Sequence, residues 1–370
     1  MGKRSQFSLG SEVAVETFIG IDLASKVSKF CVLDARGQVQ FKGSVPTTRE
    51  DFTQRFKAFV PARIAVEAGS SSRVASEALT SAGHEVVVAN PRQVKLISRN
   101  HKKCDEVDAE LLARLVRTDP VLLAPVYHRG ARAHEGLSLI RARDLLVRNR
   151  TSQINAVRGM AKGFEIKLPS CEAEQFVKHA SSAVKGTVFD GVAKPLLAAI
   201  DAVTVAIEAY DLKIKVFAKN ELPIVHELER IPGVGLLTAT AFALAVDDPE
   251  RFPNERTIGA YFGLVPRRDQ TGGPDGLDKK LAITKMGDSL IRRLLTQCGQ
   301  RILQTNSKDS DLKAFGERLQ QGNANRKRAV TAVARKVAVH MLMVMKTGVV
   351  YDPQHRSKLN AQQEAKTAQA

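Results

Sequence analysis

The chain has 370 residues, a length that accommodates two or three domains with separate cores. Apolar residues make up 44% of it, and no segment approaches the roughly 18 consecutive apolar residues of a membrane-spanning helix, so a soluble protein is predicted. Lys and Arg number 56 against 39 Asp and Glu, and the net charge of +17 favours polyanionic partners such as nucleic acid over basic ones.

The first region predicts an α/β domain. Residues 1–16 are polar and predict a flexible tail, and residues 17–125 form the domain. Three strand-like segments are followed by an alternation of helix, strand, helix, strand and helix, which is the element order of an RNase H-like fold. The segments are strands at 18–24, 29–35 and 38–45, a helix at 49–59, a strand at 63–68, a helix at 73–82, a strand at 84–90 and a helix at 91–117.

A helical region at 126–220 comes next. Apolar residues recur at mostly helical spacings among many arginines from 134 to 166, and a second helical pattern runs from 192 to 222. The two helices could fold back on each other as an antiparallel coiled-coil arm for dimerisation or nucleic-acid binding, or they could form a simple spacer. The C-terminal region at 221–350 is predicted to be mostly helical, and residues 351–370 to be a disordered tail.

Four carboxylates stand out in the first region. Asp22 lies within an apolar strand pattern and Glu67 ends another, positions where a charge is costly without a partner. Asp105 and Asp108 are three residues apart and share one helix face. Carboxylate oxygens suit Mg²⁺ or Mn²⁺, which can polarise a scissile phosphate. Taken singly, each acid could instead be a turn residue, a surface acid or a favourable charge at a helix N-terminus.

The C-terminal region carries two further motifs. IPGVG, with Gly233 and Gly235, is typical of a helix-hairpin-helix that offers backbone amides to a phosphate, or of a structural turn. Thr271 stands beside two glycines after Arg267 and Arg268, an arrangement that could favour a developing oxyanion or could be a surface loop. Arginines of the 141–158 segment, Arg335 and Lys336 are further candidates for nucleic-acid contacts or for a solvated helix face, as are Lys285, Arg292, Arg293, Arg326, Lys327 and Arg328.

These patterns together resemble the bridge-RNA-guided insertion-sequence transposases with a DEDD motif, which are related to the Piv DNA invertase. The resemblance covers nearly the whole chain and rests on GIDLASK, IAVEAG, KKCDEVDAELLARL, IPGVG, YFGLVPRRDQTGG, ITKMGDSLIRRLL, RKRAVTAVARKVAV and TGVVYDP, in that order. It implies a RuvC-like DEDD domain, a coiled-coil arm and a transposase domain. It also implies that Asp22, Glu67, Asp105 and Asp108 hold Mg²⁺ and that a structured RNA pairs with donor and target DNA.

The chain departs from the family at one position. The resemblance implies a serine nucleophile in an SGG-like string, where this chain has Thr271 in QTGG. Threonine keeps the hydroxyl but adds a methyl group that restricts χ1 and crowds an in-line attack, so the enzyme could be slow, inactive or adapted. Ser289, in the following helix, is a weaker candidate for the nucleophile. The family further implies a homodimer that assembles into a tetramer.

Three functions follow from these observations. The first is an RNA-guided DNA recombinase that excises and inserts a mobile element through a covalent hydroxyl-residue–DNA intermediate. The second is a metal-dependent junction nuclease, in which the carboxylates activate water and no covalent adduct forms. The third is a nucleic-acid-binding scaffold without catalysis.

The four scattered cysteines lack the close spacing of a zinc site, and no secretory signal is evident. A bacterial, nucleoid-associated cytoplasmic protein is therefore expected.

Overall fold

The computed structural model describes residues 16–59, 61–91, 105–269, 279–322, 325–355 and 358. The chain divides into two compact units, Met1–His128 and Arg129–Ala370. Within the described ranges, no helix is long and apolar enough to cross a membrane. The predicted tails fall mostly outside these ranges, as do Thr271 and most of the predicted helix before Asp105.

The first unit is built on a mixed five-stranded sheet with the strand order β3-β2-β1-β4-β5. The first three strands form an antiparallel meander, and β1, β4 and β5 run parallel to one another. This confirms the predicted mixed α/β domain and is consistent with an RNase H-like start. The strands are β1 (Phe18–Asp22), β2 (Val27–Leu33), β3 (Val39–Pro46), β4 (Arg63–Glu67) and β5 (Glu85–Ala89).

Helices cover both faces of this sheet. Helices α1 (Arg49–Phe56) and α2 (Ser72–Ser81) pack against the face that carries Ile19 and Ile64, whereas α3 (Asp105–Thr118) packs against the opposite face. Side chains of a strand point alternately to its two faces, so residues 18, 20 and 22 of β1 face α3. The central strands β1 and β4 are therefore buried on both sides, as their nearly continuous apolar residues require, whereas the edge strand β3 is largely exposed.

The second unit begins with a long helical hairpin. Helices α4 (Ala131–Lys162) and α6 (Asp190–Glu221) run antiparallel, and the short α5 (Phe176–Val184) packs on α6. Two contacts show the direction, because Arg143 Nε bonds Asp211 Oδ1 at 2.5 Å and Arg150 Nη1 bonds Thr204 Oγ1 at 3.4 Å. The two predicted helices are confirmed, whereas a coiled coil between them stays a prediction.

In the residues that the structure describes, the rest of the second unit is helical, with one β-hairpin. Its core surrounds α8, whose side chains from Thr238 to Val246 are all buried, and it includes the apolar faces of α10 and α12. The elements are α7 (Ile224–Leu228), α8 (Leu236–Val246), α9 (Ile258–Tyr261), β6 (Pro266–Asp269), β7 (Lys279–Ile283), α10 (Ser289–Ile302), α11 (Asp311–Gln321) and α12 (Arg326–Thr347).

Candidate active site

Two of the predicted carboxylates end neighbouring strands. Asp22 is the last residue of β1 and Glu67 the last of β4. The two strands are parallel, with Ile21 beside Val66, so both acids lie at the same edge of the sheet. Both side chains are half-buried. By the alternation of side chains, both lie on the face that α3 covers, since Asp22 follows the direction of Gly20, and Glu67 that of the buried Ala65.

Helix α3 rests directly on the backbone of β1 at Gly20. A Cβ atom built on this glycine would lie 2.0 Å from the Ala109 carbonyl oxygen and 2.4 Å from the Ala113 amide nitrogen. Only a glycine permits so close an approach of helix and strand. Gly20 thereby determines how far the helix, and with it Asp108, stands from the sheet. Sequence reasoning missed this residue, although a glycine inside an apolar strand was the available signal.

An ion pair and a hydrogen bond show the direction of α3 across the sheet. Lys29, which lies beside Asp22 in the β1–β2 ladder, reaches Glu106 at 3.5 Å between Nζ and Oε1. At the opposite end of the helix, Arg117 Nη1 donates to the Ala35 carbonyl at 3.3 Å. The first turn of α3, which carries Asp105 and Asp108, therefore lies at the same edge of the sheet as Asp22 and Glu67.

The two acids of α3 differ in environment. Asp108 is only 5% exposed and adjoins the apolar layer that contains Ala109 and Leu112, whereas Asp105 is exposed. A carboxylate buried in such a layer is costly unless it is hydrogen-bonded, paired or bound to a cation. The burial of Asp108 argues against a solvated helix face for this residue, whereas the exposure of Asp105 is compatible with one.

The four carboxylates share an edge of the sheet but do not form one closed cluster. Across the parts of the chain that the structure describes, no three His, Cys, Asp or Glu side chains are close enough to hold a single metal ion. The donor set itself is suited to Mg²⁺ or Mn²⁺, because all four groups supply hard carboxylate oxygens. The case for a metal site thus rests on the carboxylate donors and on the shared edge of the sheet, where Asp22 and Glu67 end neighbouring strands.

Glu110 anchors α3 two residues beyond Asp108. Its Oε2 lies 2.7 Å from Lys42 Nζ on β3, and its Oε1 accepts a hydrogen bond from Arg114 Nε at 2.9 Å. The hydrogen bond from Lys42, followed by that from Arg114, holds the pKa of Glu110 below its ordinary value. The contact with Lys42 fixes the helix against β3 and so helps to hold its first turn at the site.

The IPGVG turn connects α7 and α8. Gly233 has a φ of +77°, and a Cβ on it would lie 2.9 Å from Ile302 Cγ1 and 3.0 Å from the Cys298 carbonyl oxygen, so the turn packs tightly against α10. Gly235, the residue before α8, is exposed, and nothing lies within 4 Å of its Cβ position. Gly233 therefore has a structural role, while Gly235 is the glycine whose surroundings leave room for a phosphate. The helix-hairpin-helix stays a prediction.

The segment with Thr271 lies outside the described residues, and the strands β6 and β7 lie on either side of it. Strands β6 and β7 pair antiparallel, and residues just before β6 contact residues just after β7. A Cβ on Gly263 would lie 2.3 Å from the Met286 carbonyl oxygen, and one on Gly287 would lie 2.0 Å from the Tyr261 carbonyl oxygen. These backbone contacts hold the residues just before β6 against the residues just after β7.

Several predicted nucleic-acid contacts have partners within the protein. Arg292 Nη1 donates to the carbonyls of Phe262 at 3.1 Å and Met286 at 2.9 Å, so it also supports the hairpin. Arg293 pairs with Asp144, and Arg326 Nη2 donates to the Leu303 carbonyl at 3.5 Å. The backbone carbonyl contacts give Arg292 a structural role. Arg267, Lys285, Lys327 and Arg328 are also exposed, and the side chain of Arg268 lies outside what the structure describes.

Ser289 lies in a charged cavity of about 380 Å³ in the second unit, lined by Arg141, Arg148 and Asp288 among others. It is exposed at the first position of α10, where Asp288 caps the helix by accepting from the Leu290 and Ile291 amides. Burial acts to raise the pKa of Asp288, but the hydrogen bond and charge of Arg141 hold it below its ordinary value. Asp288 and Arg141 thus have clear structural roles.

Comparison with known proteins places these features in a family. Residues 19–165 match the DEDD transposase domain of the IS110 type, and residues 225–315 match the domain described as transposase, IS116/IS110/IS902 family. The first match contains all four carboxylates, and the second contains Thr271. The two domains define the chain as a transposase, a protein of DNA transposition. It belongs to the IS116/IS110/IS902 transposase family.

Individual relatives extend the match over most of the chain. The transposase for insertion sequence element IS1111A from Coxiella burnetii (strain RSA 493 / Nine Mile phase I) is 26% identical over 330 residues, 86% of this chain and 87% of that protein. A probable family 20 transposase from Pseudomonas aeruginosa is 27% identical, covering 85% of this chain and 92% of that protein. The transposase for IS1328 from Yersinia enterocolitica is 26% identical, covering 78% and 84%.

Proposed function

We propose that this transposase cuts and rejoins DNA through a transient covalent bond to a hydroxyl side chain, with a divalent metal held by Asp22, Glu67, Asp105 and Asp108. The observation that carries the proposal is the shared edge of the sheet, where the ends of β1 and β4 meet the acidic first turn of α3. A bound Mg²⁺ or Mn²⁺ would supply charge stabilisation at the scissile phosphate. Lys29 and Glu110 orient the helix that carries two of the four acids.

The proposed nucleophile is the hydroxyl of Thr271. Its oxygen forms an ester bond to the phosphorus as the bond from that phosphorus to one deoxyribose oxygen breaks, and the hydroxyl proton is lost. The deoxyribose oxygen leaves as a DNA hydroxyl, which in the reverse step on another strand attacks the protein–DNA ester and releases Thr271. One ester bond is exchanged for another in each step, so the reaction requires no ATP. The sequence has no P-loop, in agreement.

The proposal includes a structured RNA that pairs with donor and target DNA. The basis for this part is the resemblance to the bridge-RNA-guided transposases, and the composition supports it. A net charge of +17 favours binding to polyanions, while the absence of tryptophan and an aromatic content of 5% offer few side chains for stacking on bases. Sequence reading is therefore better assigned to base pairing than to the protein. Assembly into a homodimer and then a tetramer, and association with the nucleoid, are further parts of the proposal.

A covalent trap tests the chemistry. The chain is incubated with Mg²⁺ or Mn²⁺, RNA transcribed from the sequence flanking its element, and end-labelled element-end and target DNA, and the products are separated on a denaturing gel. Thr271→Ser is expected to form at least as much protein–DNA adduct as the native chain, because it removes the methyl group. Thr271→Ala and Asp22→Ala are expected to form none. Ser289→Ala tests the rival hydroxyl.

Matched controls separate the site from general damage. Glu50→Gln changes an exposed acid in the first turn of α1, which packs on the face of the sheet opposite α3, and it is expected to keep adduct formation. Cutting without an adduct, equally strong in Thr271→Ala, would replace the recombinase chemistry with a hydrolytic nuclease. If the native chain and every variant bind DNA and RNA but leave the strands intact, the remaining function is that of a nucleic-acid-binding scaffold.

A further inference from the structure

A basic cavity lies at one end of the helical hairpin, where α4 finishes at Lys162. Its volume is about 590 Å³, within the range of roughly 300–1,000 Å³ that is usual for ligand sites. The last two turns of α4 and the residues that follow them form its wall, which contains three cations, Arg158, Lys162 and Lys167, and one acid, Glu165. This excess of positive charge favours an anionic ligand.

The three cations lack the acidic partners that other cations of α4 have. Four arginines nearer the start of the helix form ion pairs within the protein, Arg141 with Asp288, Arg143 with Asp211, Arg148 with Asp144 and Arg150 with Glu174. Within the described parts of the chain, Arg158, Lys162 and Lys167 form no such pair. Their charge is therefore available to the phosphates of a nucleic acid.

Arg158 is held in place by contacts that leave its charge uncancelled. Its guanidinium carbon lies 5.0 Å from the centroid of the Phe176 ring, and its Nη2 lies 3.9 Å from Cys171 Sγ. The dipole of α4 accounts for Lys162, which lies in the last turn, but not for Lys167, which lies beyond the helix. The cations of the cavity are thus more than a favourable ending of α4.

An exposed aromatic ring stands beside these cations. Phe164 lies between Lys162 and Glu165, which both line the cavity, and it is 45% exposed. Its ring packs on the buried Phe189, with centroids 5.0 Å apart, so its orientation is fixed. An aromatic ring beside free cations is the combination that binds single-stranded nucleic acid, because a base stacks on the ring while the cations contact phosphates. A duplex keeps its bases stacked inside, so the ring favours unpaired nucleotides.

Glu165 indicates RNA rather than DNA. A carboxylate repels phosphate, so Glu165 weakens a site that contacts phosphates alone. Its oxygens can instead accept a hydrogen bond from the 2′-hydroxyl of a ribose, a group that DNA lacks. Glu165 also has a φ of +57°, a conformation that costs free energy for a residue other than glycine. An acid in such a conformation among three cations fits a ribose contact better than a phosphate contact.

We propose that this cavity and Phe164 bind an unpaired loop of RNA. The RNA backbone lies on Arg158, Lys162 and Lys167, one base stacks on Phe164, and a ribose 2′-hydroxyl donates to Glu165. The site rests on the proposed function for the presence of an RNA partner, and its tests measure RNA binding without DNA or metal. A failed covalent trap would leave RNA binding at this site intact, so the two failures are distinguishable.

Photo-crosslinking locates the RNA on the full chain. The probe is a single-stranded oligouridine of about 12 nucleotides that contains 4-thiouridine, a length within the site sizes of single-strand binding proteins. After irradiation and trypsin digestion, mass spectrometry is expected to find the cross-link on the peptide Gly163–Lys167, which contains Phe164. Cross-links confined to other peptides, or no binding of the probe by the native chain, would overturn the site. The covalent trap, run with and without RNA, then decides the proposed function separately.

Fluorescence anisotropy with the same oligouridine tests the stacking. Phe164→Leu keeps an apolar side chain against Phe189 but removes the ring, and it is expected to weaken binding at least fivefold, whereas Phe164→Tyr should bind like the native chain. Phe41→Leu is the matched control, because Phe41 is 42% exposed and lies in the first unit. Equal binding by Phe164→Leu and the native chain would overturn the stacking contact.

The salt dependence of binding tests the cations. Each phosphate contact of a single strand contributes about 0.7 to the slope of log affinity against log salt, so Lys162→Gln with Lys167→Gln should reduce the slope by about 1.4. The control is Lys213→Gln with Lys215→Gln, which removes the same charge from exposed positions of α6 outside the cavity. It should leave the slope unchanged, and circular dichroism checks that the variants remain helical. Equal slopes in the two double variants would overturn the phosphate contacts.

Comparison with a deoxyuridine oligomer of the same length tests the choice of RNA. The native chain is expected to bind the RNA more tightly than the DNA. Glu165→Ala should reduce this preference and bind the DNA more tightly than the native chain does, because the variant loses both the hydroxyl contact and the repulsion of phosphate. Equal affinity of the native chain for both oligomers, or an unchanged preference in Glu165→Ala, would overturn the assignment to RNA.

Discussion

Replacing Gly20 with alanine tests whether the contact between α3 and β1 holds the candidate site together. The new Cβ would lie 2.0 Å from the Ala109 carbonyl oxygen, and ordinary contact begins at 3.4 Å, so the helix has to retreat by about 1.4 Å. Overpacking of this kind costs about 1–3 kcal/mol, and the stiffer unfolded chain of the alanine variant offsets about 0.4–1 kcal/mol of it. The clash is with backbone atoms that cannot move alone, so the upper end of this cost applies, and we expect a net loss on the order of 2 kcal/mol in the first unit.

Native-state hydrogen exchange measured by mass spectrometry detects this loss of stability in individual segments. A local measurement is needed because the chain has two compact units and need not unfold in one step. Amides of β1 and α3 that exchange through unfolding of the unit should exchange roughly 30-fold faster, at 1.4 kcal/mol per tenfold change. Peptides from α8 and α10 serve as the internal reference. Strand cleavage should also fall by roughly 100-fold, because the retreat moves Asp108 away from Asp22.

Gly69→Ala is the control for this prediction. Gly69 follows β4 in the same unit, and nothing lies within 4 Å of its Cβ position. Its exchange rates should stay within about threefold of those of the native chain, the scale of an ordinary surface substitution. Equal protection of β1 and α3 in Gly20→Ala and in the native chain would refute the close contact. It would also remove the argument that Gly20 sets the position of Asp108.

Three further predictions concern the turn, the pH dependence and the metal. Gly233→Ala should destabilise the second unit by about 1–3 kcal/mol because of its positive φ and its contact with α10, whereas Gly235→Ala should leave stability unchanged and weaken DNA binding in a gel-shift assay. Equal destabilisation by both changes would contradict this distinction. The pKa of Glu110 is lowered in the fold, so its contribution to stability is present above its ordinary value of 4.5 and is lost as the pH falls through the folded pKa. The stability difference between the native chain and Glu110→Gln, under about 1 kcal/mol for such an ion pair, should therefore shrink in urea titrations from pH 7 to pH 3, and a constant difference would speak against the contact. Mg²⁺ at a hundredfold excess over its Kd should stabilise the first unit by about 2.7 kcal/mol and raise its Tm. Asp22→Asn should abolish this rise in Tm. The same rise in both proteins would mean that the ion binds elsewhere.

The helices and strands were largely predictable because their signals are local. Apolar alternation and turn residues marked the strands of the meander, and helical spacing marked the two helices of the hairpin, whose observed bounds are Ala131–Lys162 and Asp190–Glu221. The β6–β7 hairpin was not predicted, because its strands are short and rich in charged residues and so lack the apolar alternation that marks a strand. The helix predicted over 91–117 is described only from Asp105 onwards.

The candidate site was predictable in its residues and not in its geometry. Asp22 and Glu67 stood out because a charge within an apolar strand is costly, and Asp105 and Asp108 because their spacing places them on one helix face. The identity of the arginines that support structure was not predictable, since Arg292 has the same sequence signal as an arginine that binds phosphate. Its partners, the carbonyls of Phe262 and Met286, are known only from the fold.

Composition, periodicity and motif order were sufficient to predict a basic, two-part protein with a mixed sheet, a helical C-terminal region and an acidic site, because each of these follows from neighbours along the chain. Tertiary structure alone decided that β1 and β4 lie side by side and parallel, that α3 rests on Gly20 and that one face of α6 stays exposed. Those three facts depend on residues far apart in sequence, which come together only when the buried faces of strands and helices are packed.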